Sequence, residues 1–374
     1  MKQKYRDKKH FPLPLTFEEI NNQWLTEALR VRFPGVTVEH SEIVDVNRGT
    51  CTKIRLRLHM DEAGRQAGIP KTVILKGGFE KHSRDMYVTH QKEVNAYRDL
   101  YPRVELHAPR CFFADCDDIQ LQGIVIIEDL VARGVSFCHP LVPQTNSQVA
   151  RRLSALAQYH ARTWNSPDLN PTGRWCWANE FVAAMGPYMA MFYDPQVWQE
   201  LITSPRGAAV SVYFHDRQWV EQSLEKLIVF AGESTHCILH GDTHLGNLYE
   251  DTDGAPGFFD PQPHRGPSMV EVAYHIGAAL DPADRRQWES ALIKHYLEEL
   301  CRHGVDAPEY DDAWQQYAAF LLIGYCIFLV NATDFQTEAV NTVYTARFGV
   351  AMVDNNTLEI IRNLPSPCSE LQAQ

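Results

Sequence analysis

No two of the nine cysteines stand in a C-x-x-C pair; they are scattered singly from Cys51 to Cys368. An odd number at such spacings predicts neither a disulfide framework nor a zinc site, and it points to a reducing, cytoplasmic setting. Net positive charge is missing too. The 35 Lys and Arg are outnumbered by 47 Asp and Glu, for a formal charge of −12, whereas broad nucleic-acid binding needs a basic surface. No apolar run reaches the roughly 20 residues that a spanning helix requires, so no membrane span is expected. The run that comes nearest, Ala318 to Ala332, predicts a buried core helix. Met1 to His10 is basic with no apolar segment behind it, so no signal peptide is expected. Internal repeats, low-complexity tracts and an H-E-x-x-H helix of metal ligands are all absent.

What is there is ordinary for a soluble globular chain: 45% hydrophobic and 22% charged residues. The 374 residues suffice for two lobes with sizeable cores.

The chemistry is concentrated in Ile238-Leu-His240-Gly-Asp242-Thr-His244-Leu-Gly-Asn247-Leu-Tyr-Glu250, followed by Gly257-Phe-Phe-Asp260. Between them, Asp251-Thr-Asp253-Gly254 is a hairpin turn signal, with short strands predicted on either side. Such a hairpin brings the loop before its first strand near the end of its second, so Asp242, Asn247 and Asp260 converge. A carboxylate, an amide oxygen and a second carboxylate form a hard-oxygen set suited to Mg²⁺ that also touches substrate phosphates. Kinases divide the work in this way, one Asp taking the hydroxyl proton while an Asn and another Asp hold metal. A rival reading takes His240, Asp242 and His244 as transition-metal ligands of a hydrolase.

At these residues the chain resembles the aminoglycoside phosphotransferase and choline kinase-like superfamily, especially its ecdysteroid-kinase-like branch. That superfamily reads His-Gly-Asp-x-x-x-x-Asn and then an apolar strand ending in Asp. The resemblance implies Asp242 as catalytic base, Asn247 and Asp260 as Mg²⁺ ligands, and His240 as a support of the loop. It implies Glu271 as the acidic brace where Asp is usual, and a helix carrying His160 beneath the loop. One departure is Pro261-Gln262, where an aromatic residue or Gly is usual. Pro261 is expected to restrict Asp260 to extended geometry.

Earlier in the chain, Thr16-Phe-Glu-Glu19 fits a capping box and predicts a helix that Pro34-Gly35 ends. Strands are predicted over Val36 to Val46 and Lys53 to Met60, around a turn containing Gly49 and Thr50 whose backbone could approach phosphates. Thr72 to Gly78 reads as an apolar strand ending in Lys76, and Tyr87 to Leu100 as a helix carrying Glu93. By the resemblance, Lys76 orients the ATP phosphates and Glu93 holds it. Gly123 to Ile127 predicts a strand running into Glu128-Asp129-Leu130. The resemblance makes Ile127 to Leu130 the hinge whose backbone meets the adenine, while the acidic side chains are solvated or cap the next segment. Residues 165–235 carry many aromatic and Met side chains, either core or the wall of a partly apolar acceptor pocket. Arg265 aids charge neutralisation or pairs with an acid.

The resemblance therefore implies an α+β, two-lobed, protein-kinase-like fold. Residues 1–130 would form a β-rich nucleotide-binding lobe, and 131–374 a mostly helical lobe with the catalytic loop and acceptor site. The implied activity is ATP- and Mg²⁺-dependent phosphorylation of a hydroxyl on a small molecule, with a lean towards a steroid-like or other lipophilic alcohol. A hydroxy-acid thioester, an amino alcohol and an aminoglycoside stay open. A protein acceptor is disfavoured, because there is no Asp-Phe-Gly to Ala-Pro-Glu activation segment. The alternative from another class is a non-catalytic pseudokinase that binds nucleotide and acts through partners. Oligomeric state is not readable.

Overall fold

The computed structural model describes residues 12–49 and 51–365. The basic start, Thr50, Cys368 and the end of the chain lie outside the described residues. The chain forms two compact units, Met1–Pro102 with Pro109–Arg133, and Arg103–Ala108 with Gly134–Gln374.

The first unit is built on a five-stranded antiparallel sheet. Its elements run α1 (Asn22–Arg30), β1 (Val38–Asn47), β2 (Thr52–Met60), α2 (Glu62–Gln66), β3 (Thr72–Gly77), α3 (Tyr87–Asn95), β4 (Cys111–Asp117), β5 (Gln122–Glu128) and α4 (Leu130–Arg133). The strand order is β1-β2-β3-β5-β4. Strand β2 alternates as its sequence does: Ile54, Leu56, Leu58 and Met60 are buried, while the intervening Lys, Arg and His are half-buried or exposed. Those apolar residues join Val73, Leu75, Phe112, Phe113 and Ile126 in one core with Trp24, Leu25 and Leu29 of α1. The first helix starts later than the capping box predicts. Thr16 and Glu19 close only a short 3₁₀ turn, and Asn21 then caps α1 by accepting from the Trp24 N–H at 3.0 Å. Helix α3 ends at Asn95 and continues to Leu100 as a wider π turn.

The second unit is mostly helical. It runs β6 (Ser136–Phe137), α5 (Asn146–Ala161), α6 (Phe181–Ala190), α7 (Pro195–Thr203), α8 (Pro205–Ala208), α9 (Arg217–Gly232), β7 (His236–Leu239), β8 (Leu248–Glu250), β9 (Pro256–Phe258), β10 (His264–Pro267), α10 (Ser268–Ala279), α11 (Pro282–Arg302), α12 (Tyr310–Val330), α13 (Glu338–Asp354) and α14 (Thr357–Asn363). The predicted hairpin is β8–β9, with Leu248 opposite Phe258 and Gly254 at φ +79° in its turn. Strand β7 pairs instead with β10, Leu239 opposite His264. Helix α12 is the one among the described residues long and apolar enough to cross a membrane, and 78% of its apolar window is buried in the protein. It packs with α10 and α13 in the core, where each fully buried Leu or Phe contributes about 1.5–3 kcal/mol.

The aromatic and Met residues of 165–235 are largely core. Trp175, Phe181, Met185, Met189, Trp198 and Phe214 are buried, whereas Tyr188, Met191 and Tyr213 are exposed. The apolar-pocket alternative for this stretch loses most of its residues to that core.

Candidate active site

The loop between β7 and β8 holds the sequence motif, and its shape is dictated by Gly241. This residue has φ +83°, and a Cβ there would lie 1.9 Å from the Gln262 carbonyl oxygen. Only glycine tolerates both the left-handed backbone and the close approach. Helix α10 then fixes the loop from below. Glu271 accepts the backbone N–H groups of His240 (2.9 Å) and Gly241 (2.8 Å), and its Oε2 also meets His160 Nε2 at 2.9 Å. A carboxylate only accepts, so Nε2 carries the proton and His160 Nδ1 takes a hydrogen bond from the Tyr296 hydroxyl at 2.8 Å. Burial opposes the charge on Glu271, yet His160 and the loop N–H groups hold its carboxyl below the usual range. One turn further on, Tyr274 donates to Asp242 Oδ1 at 3.0 Å, and His275 Nδ1 donates to the Thr243 carbonyl at 3.0 Å.

Asp242 is held on its other oxygen as well. Asn247 Nδ2 donates to Asp242 Oδ2 at 2.7 Å and to the Asp242 carbonyl at 3.1 Å. His244 caps the short turn Leu245–Asn247, its Nδ1 accepting the Gly246 N–H at 2.9 Å, which leaves the proton on Nε2, 3.6 Å from Asp242 Oδ2. Burial raises the Asp242 pKa, but His244, His240 and the Tyr274 hydroxyl outweigh it and hold the carboxyl below its ordinary value. The side chain remains 31% exposed, so it is open to a reactant.

Asp260 follows β9. The Phe259 N–H bonds the Asn247 carbonyl (3.0 Å) and the Gln262 N–H bonds the His240 carbonyl (2.9 Å), so the chain on both sides of Asp260 is tied to the loop. The expected extended geometry is not observed. Asp260 has φ +53°, in the left-handed region, because those two backbone bonds over-determine the turn and outweigh the preference set by Pro261.

His240 is fully buried, 5.9 Å from the Phe258 ring, and its two ring nitrogens have no hydrogen-bond partner among the described residues. Burial pushes its pKa below the ordinary value. Its hold on the loop is made through its backbone. Among the described residues no three His, Cys, Asp or Glu converge as a metal-ligand set, which removes the basis of the hydrolase reading. Arg265 donates to the Leu169 carbonyl at 3.2 Å and lies beside Glu180, with which it forms a β-bridge.

In the first unit, Lys76 Nζ meets Glu93 Oε1 at 2.5 Å, the side chains being 3% and 5% exposed. Lys76 sits on β3 opposite Lys53 and Val125, and Glu93 faces it from α3. Burying such a pair costs desolvation that only close geometry repays. Cys51 Sγ lies 4.0 Å from the other Glu93 oxygen. Gly49 lies in the connection between β1 and β2, and a Cβ there would meet nothing nearer than the Cys51 carbonyl oxygen at 3.9 Å, so no close approach demands glycine. At the end of β5, Asp129 pairs with Arg55 at 3.0 Å and accepts the N–H groups of Val131 and Ala132, while Glu128 pairs with Arg133. The acidic side chains therefore cap and pair. Ile127 and Leu130 are buried around them.

Tyr274 and His275 were not found in the sequence as site residues. Their signal was available: with Glu271 they are polar at i, i+3 and i+4 in an otherwise apolar helix, which places them on one face.

No protein-family model matches the chain, and no curated protein matches it. Solved structures do. A choline kinase from Cryptosporidium parvum is 12% identical, with 91% of this chain and 99% of that one covered, at a TM-score of 0.58. The choline kinase LicA from Streptococcus pneumoniae is 14% identical over 91% and 98%, at a TM-score of 0.44, too low to add weight. At such identities the likeness is one of architecture: this chain has the α+β, protein-kinase-like fold, with a β-sheet N-terminal lobe and a helical C-terminal lobe, of the Cryptosporidium choline kinase.

Proposed function

We propose that the protein is an ATP-dependent phosphotransferase acting on a hydroxyl group of a small molecule. The observation that carries this is the catalytic-loop geometry: Asp242 is pinned by Asn247, and Asp260 is bracketed by backbone bonds to the same loop. The fold shared with a choline kinase supports it.

Asp242 is the base that takes the acceptor's proton, and its low pKa suits a loose transition state, in which little proton transfer is needed before the phosphoryl group moves. Asn247 and Asp260 are suited to Mg²⁺. The Asn247 Nδ2 is spent on Asp242, so its Oδ1 is the atom that would ligate the metal, with the Asp260 carboxylate as the second ligand. Bound there, Mg²⁺ would neutralise phosphate charge. Lys76, held by Glu93, is the residue we assign to the ATP phosphates, with Gly49 near them and Ile127 to Leu130 at the adenine. Glu271, His160 and His275 hold the loop so that no reorganisation is needed during transfer.

Within this reading the acceptor is a small alcohol, and the ecdysteroid-kinase-like motif favours a lipophilic one. The eight described cysteines form no disulfide with one another, which fits a cytoplasmic enzyme. Calorimetry of Mg·ATP binding tests the nucleotide half: wild type should bind, and Lys76→Ala should weaken binding at least about tenfold, the loss of one charge-assisted phosphate contact. A wild type that binds no nucleotide would contradict the proposal.

A further inference from the structure

Tyr274 is a tyrosine where phenylalanine would pack equally well. Its ring is 3% exposed and stacks on Phe328 (5.7 Å between centroids, 3° between planes) and on Phe348 (6.1 Å, 24°). A hydroxyl in such an apolar stack costs free energy unless it is bonded, and it donates to Asp242 Oδ1 at 3.0 Å. Burial, with the Asp242 charge, keeps the phenol protonated and therefore a donor.

The two Asp242 oxygens are unequally occupied. Oδ2 accepts from Asn247 and faces His244, whereas among the described residues Oδ1 accepts from Tyr274 alone. A carboxylate oxygen has two lone pairs, so Oδ1 keeps one for an incoming hydroxyl. Phe328 in turn stacks on Tyr344 at 4.0 Å, and Tyr344 packs against His244 at 5.8 Å. The aromatic column therefore fixes the tyrosine hydroxyl as a rigid reference point beneath the carboxylate.

We propose that Tyr274 is a positioning residue that orients Asp242 so that Oδ1 takes the acceptor's proton, an inference that rests on the phosphotransferase reading above. In the step, the acceptor O–H bond breaks as its proton passes to Oδ1, and the acceptor oxygen bonds the γ-phosphorus of ATP. The bridging P–O bond breaks with its electron pair leaving on ADP, and protonated Asp242 returns its proton to water. Without the Tyr274 hydroxyl the carboxylate is held on Oδ2 alone, by Asn247 and His244, and the reactive orientation is populated only part of the time.

The test is steady-state kinetics of Tyr274→Phe, beside wild type and Asp242→Asn, with Mg·ATP and choline, kanamycin, a steroid alcohol and a hydroxy acid as acceptors. The expected result is a kcat about tenfold lower, the loss of one hydrogen bond to a charged acceptor. Both KM values and the Tm should stay at the wild-type level, and Tyr274→Phe should cost nothing further when added to Asp242→Asn. A kcat within about twofold of wild type overturns the proposal. So does a loss of kcat accompanied by a lowered Tm and changed KM values, which would make Tyr274 merely structural. If Asp242→Asn abolishes turnover while Tyr274→Phe does not slow it, only the positioning role fails. If wild type transfers nothing from ATP, the phosphotransferase reading fails and this inference falls with it.

Discussion

Gly241 concentrates the backbone demands of the loop between β7 and β8 in one residue. Its positive φ and the Gln262 carbonyl oxygen, 1.9 Å from where a Cβ would be, leave no room for alanine. Gly241→Ala should lose about 2–4 kcal/mol in urea unfolding and lose activity with it. The Lys76–Glu93 pair makes the opposite kind of demand, since removing one buried partner strands the other. Lys76→Met should destabilise the first unit by about 3–5 kcal/mol, whereas replacing both residues with apolar ones should restore much of that. Differential unfolding of the single and double variants decides it. At this scale the sequence is legible where chemistry forces a linear string, as in His240 to Asn247 and Asp260. It is not legible where a side chain acts across the fold. Tyr274 and His275 read as helix-core residues until α10 is laid under the loop, and the Asp260 backbone follows from two bonds that no local rule predicts.

Among the elements, α10 does more than any other to shape the site. Its Glu271, Tyr274 and His275 reach the loop backbone, the Asp242 carboxylate and the Thr243 carbonyl in turn. Burial, with the Arg152 charge adding to it, pushes the His275 pKa from 6.5 down to about 4. The folded state thus prefers the neutral imidazole. Its contribution is fully present above pH 6.5, declines as pH falls towards 4, and is flat below that. Wild type should therefore lose roughly 3 kcal/mol relative to His275→Asn across this window, read by urea unfolding at a series of pH values. Helix α12 depends on a different device. Arg206, 5% exposed, donates to the Phe328, Leu329 and Asn331 carbonyls at its C-terminal end and pairs with Glu338 on α13. Arg206→Ala should cost about 2–4 kcal/mol by leaving these carbonyls without donors. The helices α5, α9 and α11 are visible in the sequence through their apolar faces, and α12 through its unbroken apolar run. The start of α1 is not, because two capping signals stand five residues apart and only tertiary context selects Asn21 over Thr16.

Over the whole molecule, the acidic balance of −12 sets a condition on any nucleotide chemistry: the phosphates of ATP must be met by local cations and Mg²⁺. Adding Mg·ATP at about 100 times its Kd should stabilise the protein by about 2.7 kcal/mol, and chelating the Mg²⁺ with EDTA should remove most of that gain. Strand-like runs before residue 130 and helical runs after it are legible in the sequence, whereas the two-lobed, protein-kinase-like class is implied only by the resemblance at His240 to Asn247 and Asp260. The identity of the acceptor is not legible, because the aromatic residues that suggested a lipophilic pocket are mostly spent on the core. The most direct measurement is Mg²⁺-dependent ATP consumption with a mixed panel of steroid, hydroxy-acid, amino-alcohol and aminoglycoside acceptors, wild type beside Asp242→Asn. Acceptor-stimulated turnover that disappears in the variant is the predicted result. Turnover that survives Asp242→Asn, or a wild type that consumes no ATP with any acceptor, would contradict the account.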